Sequence, residues 1–470
     1  MKKLFRLCAI LVLCGITFSA AAQDKTVRKI IEQGTADNRT MEIEHFIANR
    51  IGGRPVGSHA LEDAERWVAD QFRSWGLEVM VQEVGEIPVS FNRGPWSGRV
   101  VSGGEMQLHF GTPTYTAGTK GPQRGHVIIV PKDEREFDRM KGTAKGAWVL
   151  LESKSRGFAL SFRDSVMLSK LIDAGALGFI QSAELPIQIH YDRAHCFDIT
   201  MDNLPTICDI KLDKNQFDVI YAKVKARERV ELEFDIRNHF TPGPVKFHNV
   251  LGILRGSKYP NEYVISGSHL DSYDIACGAV DDGQGTSVNM ESARLLAVSG
   301  AKPKRSIIFS IWTGEEYGLL GSKFFVENKT VPLEKISNYF NRDGGPTVAT
   351  SVTVPQAMYD DFVKICEPIP SINPEFPFEV RLRQGGPVGK NARGSDHAYF
   401  VMNGVPAVSL GLQDIKGYNF NYREIWHTDL DRYDKCIPEY MEHSAIVNAI
   451  VLYGVANLDH LLSREGYYKE

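Results

Sequence analysis

The sequence predicts an α/β fold: a mixed, mainly parallel sheet flanked by helices, interrupted by a β-rich insert. Beyond residue 244, short apolar runs alternate with helical stretches, the pattern of strands joined through helices. Between residues 97 and 240 the texture differs, with Gly-rich turns separating short β-rich runs. The composition is ordinary for a globular protein: 470 residues, 43% hydrophobic and 24% charged, enough for two or three domains with buried cores. It excludes a disordered chain, a collagen-like repeat and a coiled coil. The balance of 54 Lys+Arg against 58 Asp+Glu, a net charge of −4, speaks against nucleic acid as a partner.

Residues 1–22 read as a secretory leader. Lys2, Lys3 and Arg6 precede the apolar run Cys8 to Phe18, and Ser19-Ala20-Ala21-Ala22 offers a small-residue cleavage site. The run is too short for a permanent span, and no later stretch reaches the ~20 apolar residues a membrane helix needs. Bulky Leu13 before Cys14 speaks against lipoprotein anchoring. The expectation is an exported chain, periplasmic or extracellular, with no membrane span after processing. Removing the leader takes the net charge from −4 to −7. Five cysteines then remain, an odd count without CxxC spacing, which is neither a disulfide framework nor a Cys-rich zinc site. Cys196 and Cys208 could pair or stay as buried thiols.

Residues 23–96 form the N-terminal helical part. In Ala60–Trp75, Leu61, Ala64, Val68, Phe72 and Trp75 share one face, with Ser58 placed to cap and Gly76 to stop the helix. In the insert, His126–Val130 and Ala147–Leu151 read as strands and Ser161–Ala174 as a helix. The Pro/Gly-rich stretch 239–244 reads as a hinge, so a boundary falls there and residues 241–470 form the main part of the α/β domain begun by residues 23–96. Within it, strands are expected at Tyr263–Ser268, Ser306–Trp312, Ile336–Phe340 and Val405–Leu410, and helices at Ser287–Val298 and Ser444–Leu462.

Ligands in such sheets bind beyond the carboxyl ends of the strands. Strand 263–268 runs into His269-Leu-Asp271, then Asp281-Asp282-Gly283 before a helix. Strand 306–312 runs into Thr313-Gly314-Glu315-Glu316, and 336–340 into Asn341-Arg342-Asp343-Gly344-Gly345. Singly, each is ordinary turn or capping chemistry. Jointly, three consecutive strand ends deliver imidazole and carboxylates to one edge, which is what a metal site needs.

These residues, spaced 12, 35 and 27 positions apart along His269, Asp281, Glu316 and Asp343, resemble the co-catalytic zinc exopeptidases of metallopeptidase family 28. His427-Thr428 with Asp431 four residues on resembles the family's late ligand segment, and Ile51–Ser58 its opening segment. Stretches at 145–151, 174–180 and 204–207 look like a protease-associated domain, which the insert is then expected to be. The resemblance implies a zinc-exopeptidase fold with two Zn²⁺ per chain, Mn²⁺ or Co²⁺ being alternatives. It assigns His269, Asp281 and Asp343 to one metal and Asp281, Glu316 and His427 to the other, with Asp281 bridging. It makes Glu315 the general base, and Asp271 the acceptor that fixes the His269 tautomer. It offers Asp396, His397 and Tyr422 as substrate-binding residues, Trp426 lacking the hydroxyl an oxyanion donor needs. Cys277 is expected to pack rather than ligate.

The implied function is a peptidase acting on short peptides, as an aminopeptidase or a dipeptidase, with a homodimer compatible by analogy. Two other functions share the scaffold. A receptor-like binding protein would have eroded ligands, and all five are present here. A glutaminyl cyclase is typically a single domain, which the insert opposes.

Overall fold

Ser58 opens helix α1 (His59–Ser74) by accepting the Leu61 N–H at 3.1 Å, and Leu61, Ala64, Val68 and Phe72 are buried along one stripe. The computed structural model describes residues 25–102, 104–160, 165–190, 195–384 and 391–467. The leader expected at 1–22 and the start of the helix expected from Ser161 lie outside the described residues.

Strands β1 (Glu78–Ser102), β2 (Gln123–Ile129), β3 (Ala147–Lys154), β4 (Gly178–Ala183), β5 (Cys208–Asp213), β6 (Glu231–Leu254), β7 (Tyr259–His269), β8 (Arg305–Trp312) and β9 (Ile336–Asn341) belong to one sheet. Its order is β9-β7-β8-β6-β2-β3-β4-β5, with β1 paired to β6. The strands β2 to β5 are mutually parallel, and helices lie between them in the chain, so the middle region is itself an α/β unit. On the other side β7 runs parallel to both β8 and β9.

Residues 239–244 do not interrupt the chain as expected. Strand β6 passes through them, antiparallel to β1 from Glu78↔Ile253 to Ser102↔Glu231. The prolines are accommodated where the register shifts between Ile87 and Val89, a bulge that asks no ladder hydrogen bond of a residue without an N–H. One end of β6 pairs with β8 and the other with β2, so one strand joins the two halves of the sheet.

Helices α2 (Gln284–Val298) and α3 (Pro438–Ala456) pack on each other and on the parallel strands. Pro438–Ala456 is mostly apolar and buried all round, whereas residues 284–296 of α2 are buried although many are polar, Asn289 donating to the Ser266 carbonyl and Arg294 to Glu291. The last helix begins earlier than the expected Ser444, because Pro438 occupies its first turn, where a missing N–H costs nothing. The strand expected at 405–410 is regular only at Leu410–Gln413, which pairs antiparallel with Val348–Val354 in a separate three-stranded sheet. The five described cysteines are free, Cys196 and Cys208 included, and Cys277 Sγ lies against the Asp431 carbonyl. No helix among the described residues is long and apolar enough to cross a membrane.

Candidate active site

The register pairs Trp312 with His269 and Asn341 with Gly267, so β7, β8 and β9 end level with one another. His269 is the last residue of β7, Glu315 and Glu316 follow β8 by a short turn, and Asp343 follows β9. Asp281 comes from the irregular turn that leads into α2. His427 arrives from a distant loop with φ of +59°, a left-handed backbone that a side chain adopts only when its surroundings impose it.

Asp281 lies between the two imidazoles. One carboxylate oxygen is 3.3 Å from His269 Nε2 and the other 3.3 Å from His427 Nε2. Glu316 Oε2 is 3.1 Å from His427 Nε2, and Asp343 Oδ2 is 4.0 Å from His269 Nε2. The five expected ligands therefore meet as two groups, His269–Asp281–Asp343 and Asp281–Glu316–His427, and Glu315 shares a third with His269 and Glu316. In each group the candidate donor atoms lie within 4.8 Å of one another.

Burial sets the electrostatics. Asp281 is pushed up by desolvation, but the imidazoles of His269 and His427 outweigh this and hold it well below its ordinary value. Burial raises Glu316 to about 7 and pushes Glu315 well above the carboxylate range. Burial opposes the charge on His427, yet Glu316 and Asp281 carry it up to about 9. Three carboxylates and two imidazoles enclosed together in this way suit a divalent cation. Two buried oxygens, Asp281 Oδ2 and Glu316 Oε1, receive no hydrogen bond at all. Buried oxygens are normally satisfied, so the donor set and its orphaned atoms both fit metal ligation.

Asp271 departs from its expected part. Its carboxylate is 4.0 Å from His269 Nδ1, too far for a hydrogen bond, and its backbone carbonyl takes that contact instead at 2.9 Å. The carboxylate accepts the N–H groups of Glu315 and Glu316 at 3.1 and 3.2 Å, clamping the turn that carries both. Asp282 accepts the His269 and Gly285 N–H groups, tying the ligand strand to the start of α2.

The cluster opens into a cleft of about 420 Å³ walled by Asp343, Ser395, His397, Tyr422, Trp426 and Glu315. His397 and Tyr422 are thus at the wall, as expected. Asp396 is not: it is buried behind the cleft, 1% exposed, and burial lifts its carboxyl to about 7. Ser395 beside it donates to Asp343 Oδ2 at 2.6 Å. Burial and the carboxylates of Asp281 and Asp343 hold the Tyr422 phenol protonated, well above its ordinary value. A larger recess of about 690 Å³ lies elsewhere, beside Arg93, Trp96 and Asp274, and each metal-competent group among the described residues has members lining the smaller cleft.

Two neighbours of the site escaped sequence reasoning. Buried Arg54 donates to the carbonyls of Gly52, Leu270, Cys277 and Gly278, so it staples the loop between His269 and Asp281. His190, from the middle region, places Nδ1 3.0 Å from His427 Nδ1. In the sequence Arg54 stands out only as part of the opening motif 51–58, and nothing local marks His190.

Sheet, cleft and clustered donors together define a metallopeptidase. Residues 249–451, which carry all five clustered ligand candidates, match the model of Peptidase family M28. Carboxypeptidase Q from Mus musculus is 24% identical over 454 residues, 94% of this chain and 90% of that protein. Among solved structures, a peptidase M28 precursor from Shewanella amazonensis superposes with a TM-score of 0.63 at 20% identity, covering 94% of this chain and 98% of that one. BSAP, a zinc aminopeptidase from Bacillus subtilis, gives 0.55 at 20% identity, covering 92% and 98%. These likenesses show the fold.

Proposed function

We propose that this chain is an exported exopeptidase that holds two zinc ions and hydrolyses short peptides, as an aminopeptidase or a dipeptidase. The observation that carries the reading is Asp281, whose two oxygens face two separate imidazoles, each with a further carboxylate beside it. His269, Asp281 and Asp343 would hold one ion, and Asp281, Glu316 and His427 the other. When bound, the zinc pair supplies Lewis acidity, which makes water nucleophilic near neutral pH and polarises a carbonyl.

The chain's own groups do the rest. Glu315 is next to Glu316 in sequence but belongs to neither of the two groups built on Asp281, and it lines the cleft, so its carboxylate is available there. It takes the proton from the attacking water and delivers it to the leaving amine, which departs only once protonated. Tyr422, kept neutral, offers an O–H to the oxygen on which negative charge develops.

The test is hydrolysis of a defined panel of dipeptides, longer peptides and N-terminal Gln peptides, with zinc content measured in parallel. Products one residue shorter at the N-terminus assign an aminopeptidase, and cleavage confined to dipeptides assigns a dipeptidase. Failure of the zinc-loaded chain to cleave any peptide, or activity that survives complete chelation, rejects the reading.

Metal removal also has a signed pH effect. Folding raises His427 from about 6.5 to about 9 and Glu316 from 4.5 to about 7, so the folded state binds more protons than the unfolded one. Their contributions are present at low pH and are lost as pH rises, through about 7 for Glu316 and about 9 for His427. The metal-free chain should melt at a lower temperature at pH 9 than at pH 6. Zinc affinity should run the other way, because ligation needs neutral imidazoles and ionised carboxylates. Thermal melts in chelator across this range, beside zinc titrations, check both signs.

A further inference from the structure

The middle region does more than flank the cleft. Ile187–His190 lies against the loop that carries His427, where the Ile189 N–H donates to the His427 carbonyl at 2.9 Å and the Asp429 N–H to the Ile187 carbonyl at 3.1 Å. The Asp429 carboxylate returns a bond by accepting the Ile187 N–H at 3.0 Å, and its other oxygen meets His109 Nε2 at 2.6 Å. The left-handed backbone of His427 is thus held by a segment more than 200 residues away in sequence. Its ring is sandwiched as well, with centroids 4.0 Å from Tyr273 and 3.8 Å from Trp426.

The contact that matters chemically is His190 Nδ1 to His427 Nδ1, 3.0 Å. His427 Nε2 faces Asp281 and Glu316. An imidazole that ligates through Nε2 carries its proton on Nδ1, and that buried N–H needs an acceptor to hold the ring in plane and in the right tautomer. For His269 the acceptor is the Asp271 carbonyl. For His427 it is a second imidazole, supplied by the middle region. His190 must then offer a lone pair at Nδ1 and keep its own proton on Nε2. Phe158, stacked on it at 4.9 Å, and Trp426, at 5.4 Å, fix the His190 ring.

We propose that His190 is a positioning residue for the Asp281–Glu316–His427 metal group, so that the middle region completes the active site. This inference rests on the two-zinc reading above. The test compares zinc affinity, by competition with a chromogenic chelator, for the full-length wild-type chain and for His190→Leu, His190→Asn and His109→Gln. His190→Leu should weaken one of the two zinc sites by about 10–100-fold and leave the other unchanged. Asn presents an oxygen close to where His carries Nδ1, so His190→Asn should recover most of that loss. His109→Gln alters the same docking surface without touching His427 and should bind as wild type does.

Equal zinc affinity in wild type and His190→Leu, or an equal loss in His190→Leu and His190→Asn, overturns the inference. A purely structural role would lower the melting temperature of the metal-free variants and weaken both zinc sites together, which also overturns it. Failure of the two-zinc reading would show in the wild-type chain itself, as fewer than two ions bound.

Discussion

Glu315→Gln is expected to lower kcat by about 10²–10⁴-fold while the zinc content stays at the wild-type level. The amide keeps the size of the side chain and loses only the ability to take a proton from water. The turn should not move, because the N–H groups of residues 315 and 316 are both held by the Asp271 carboxylate rather than by the Glu315 side chain. Glu316 therefore stays beside His427. The substitution also removes a carboxyl that burial and the neighbouring Glu316 and Asp343 disfavour as an anion. The metal-free variant should thus melt at or above the wild-type temperature, the usual trade between a strained catalytic group and stability. Steady-state kinetics with metal analysis checks the first expectation, and melting in chelator the second. Wild-type turnover in Glu315→Gln would remove Glu315 from the mechanism.

Arg54→Met should cost roughly 3–5 kcal/mol of stability and weaken zinc binding with it. The guanidinium is fully buried and donates to Leu270 O at 2.6 Å, Gly52 O at 2.7 Å, Gly278 O at 2.9 Å and Cys277 O at 3.0 Å. Met fills much of the same space and satisfies none of these carbonyls. It also strips a cation from the surroundings of Glu44 and Asp431, which burial already pushes up to about 8 and which Arg54 holds down. The loop it releases is the one joining His269 to Asp281, so the bridge between the imidazoles loosens. Arg54→Lys, with one nitrogen in place of a planar fork, cannot reach four carbonyls and should fall between the two. Denaturant unfolding, read beside zinc affinity, measures both effects. A stability within 1 kcal/mol of wild type would show that the loop holds without its staple.

The site residues were legible because each sits in a short, self-contained pattern. His269, Asp281, Glu316 and Asp343 follow apolar runs or precede a helix, next to glycines that allow tight turns, and the turns bring them to one sheet edge. Gly285 illustrates how close that edge is: a Cβ there would lie 1.8 Å from the Arg342 carbonyl and 2.2 Å from Asp282. Ser58 was equally legible, since an N-cap is defined by residues three positions apart. The stretch 239–244 misled for the opposite reason. Pro and Gly break a chain judged locally, yet here they sit opposite Val89 in a ribbon whose other strand lies about 150 residues earlier. The part played by Asp271 was half legible. Its place two residues after His269 pointed to the right neighbour, but which of its oxygens faces Nδ1 depends on the turn after β8.

The sequence by itself determined the α/β pattern, the strand-end donors and the adjacent carboxylates Glu315 and Glu316, because each is written in contiguous residues and in the direction of the strands. Only the tertiary structure decided that Arg54 staples the loop between two ligands, that Asp396 lies behind the cleft, and that His190 meets His427. Those contacts join single polar groups as many as 237 positions apart. A lone buried donor or acceptor leaves no periodic trace in the chain, so its partner exists only once the sheet has brought both to the same edge.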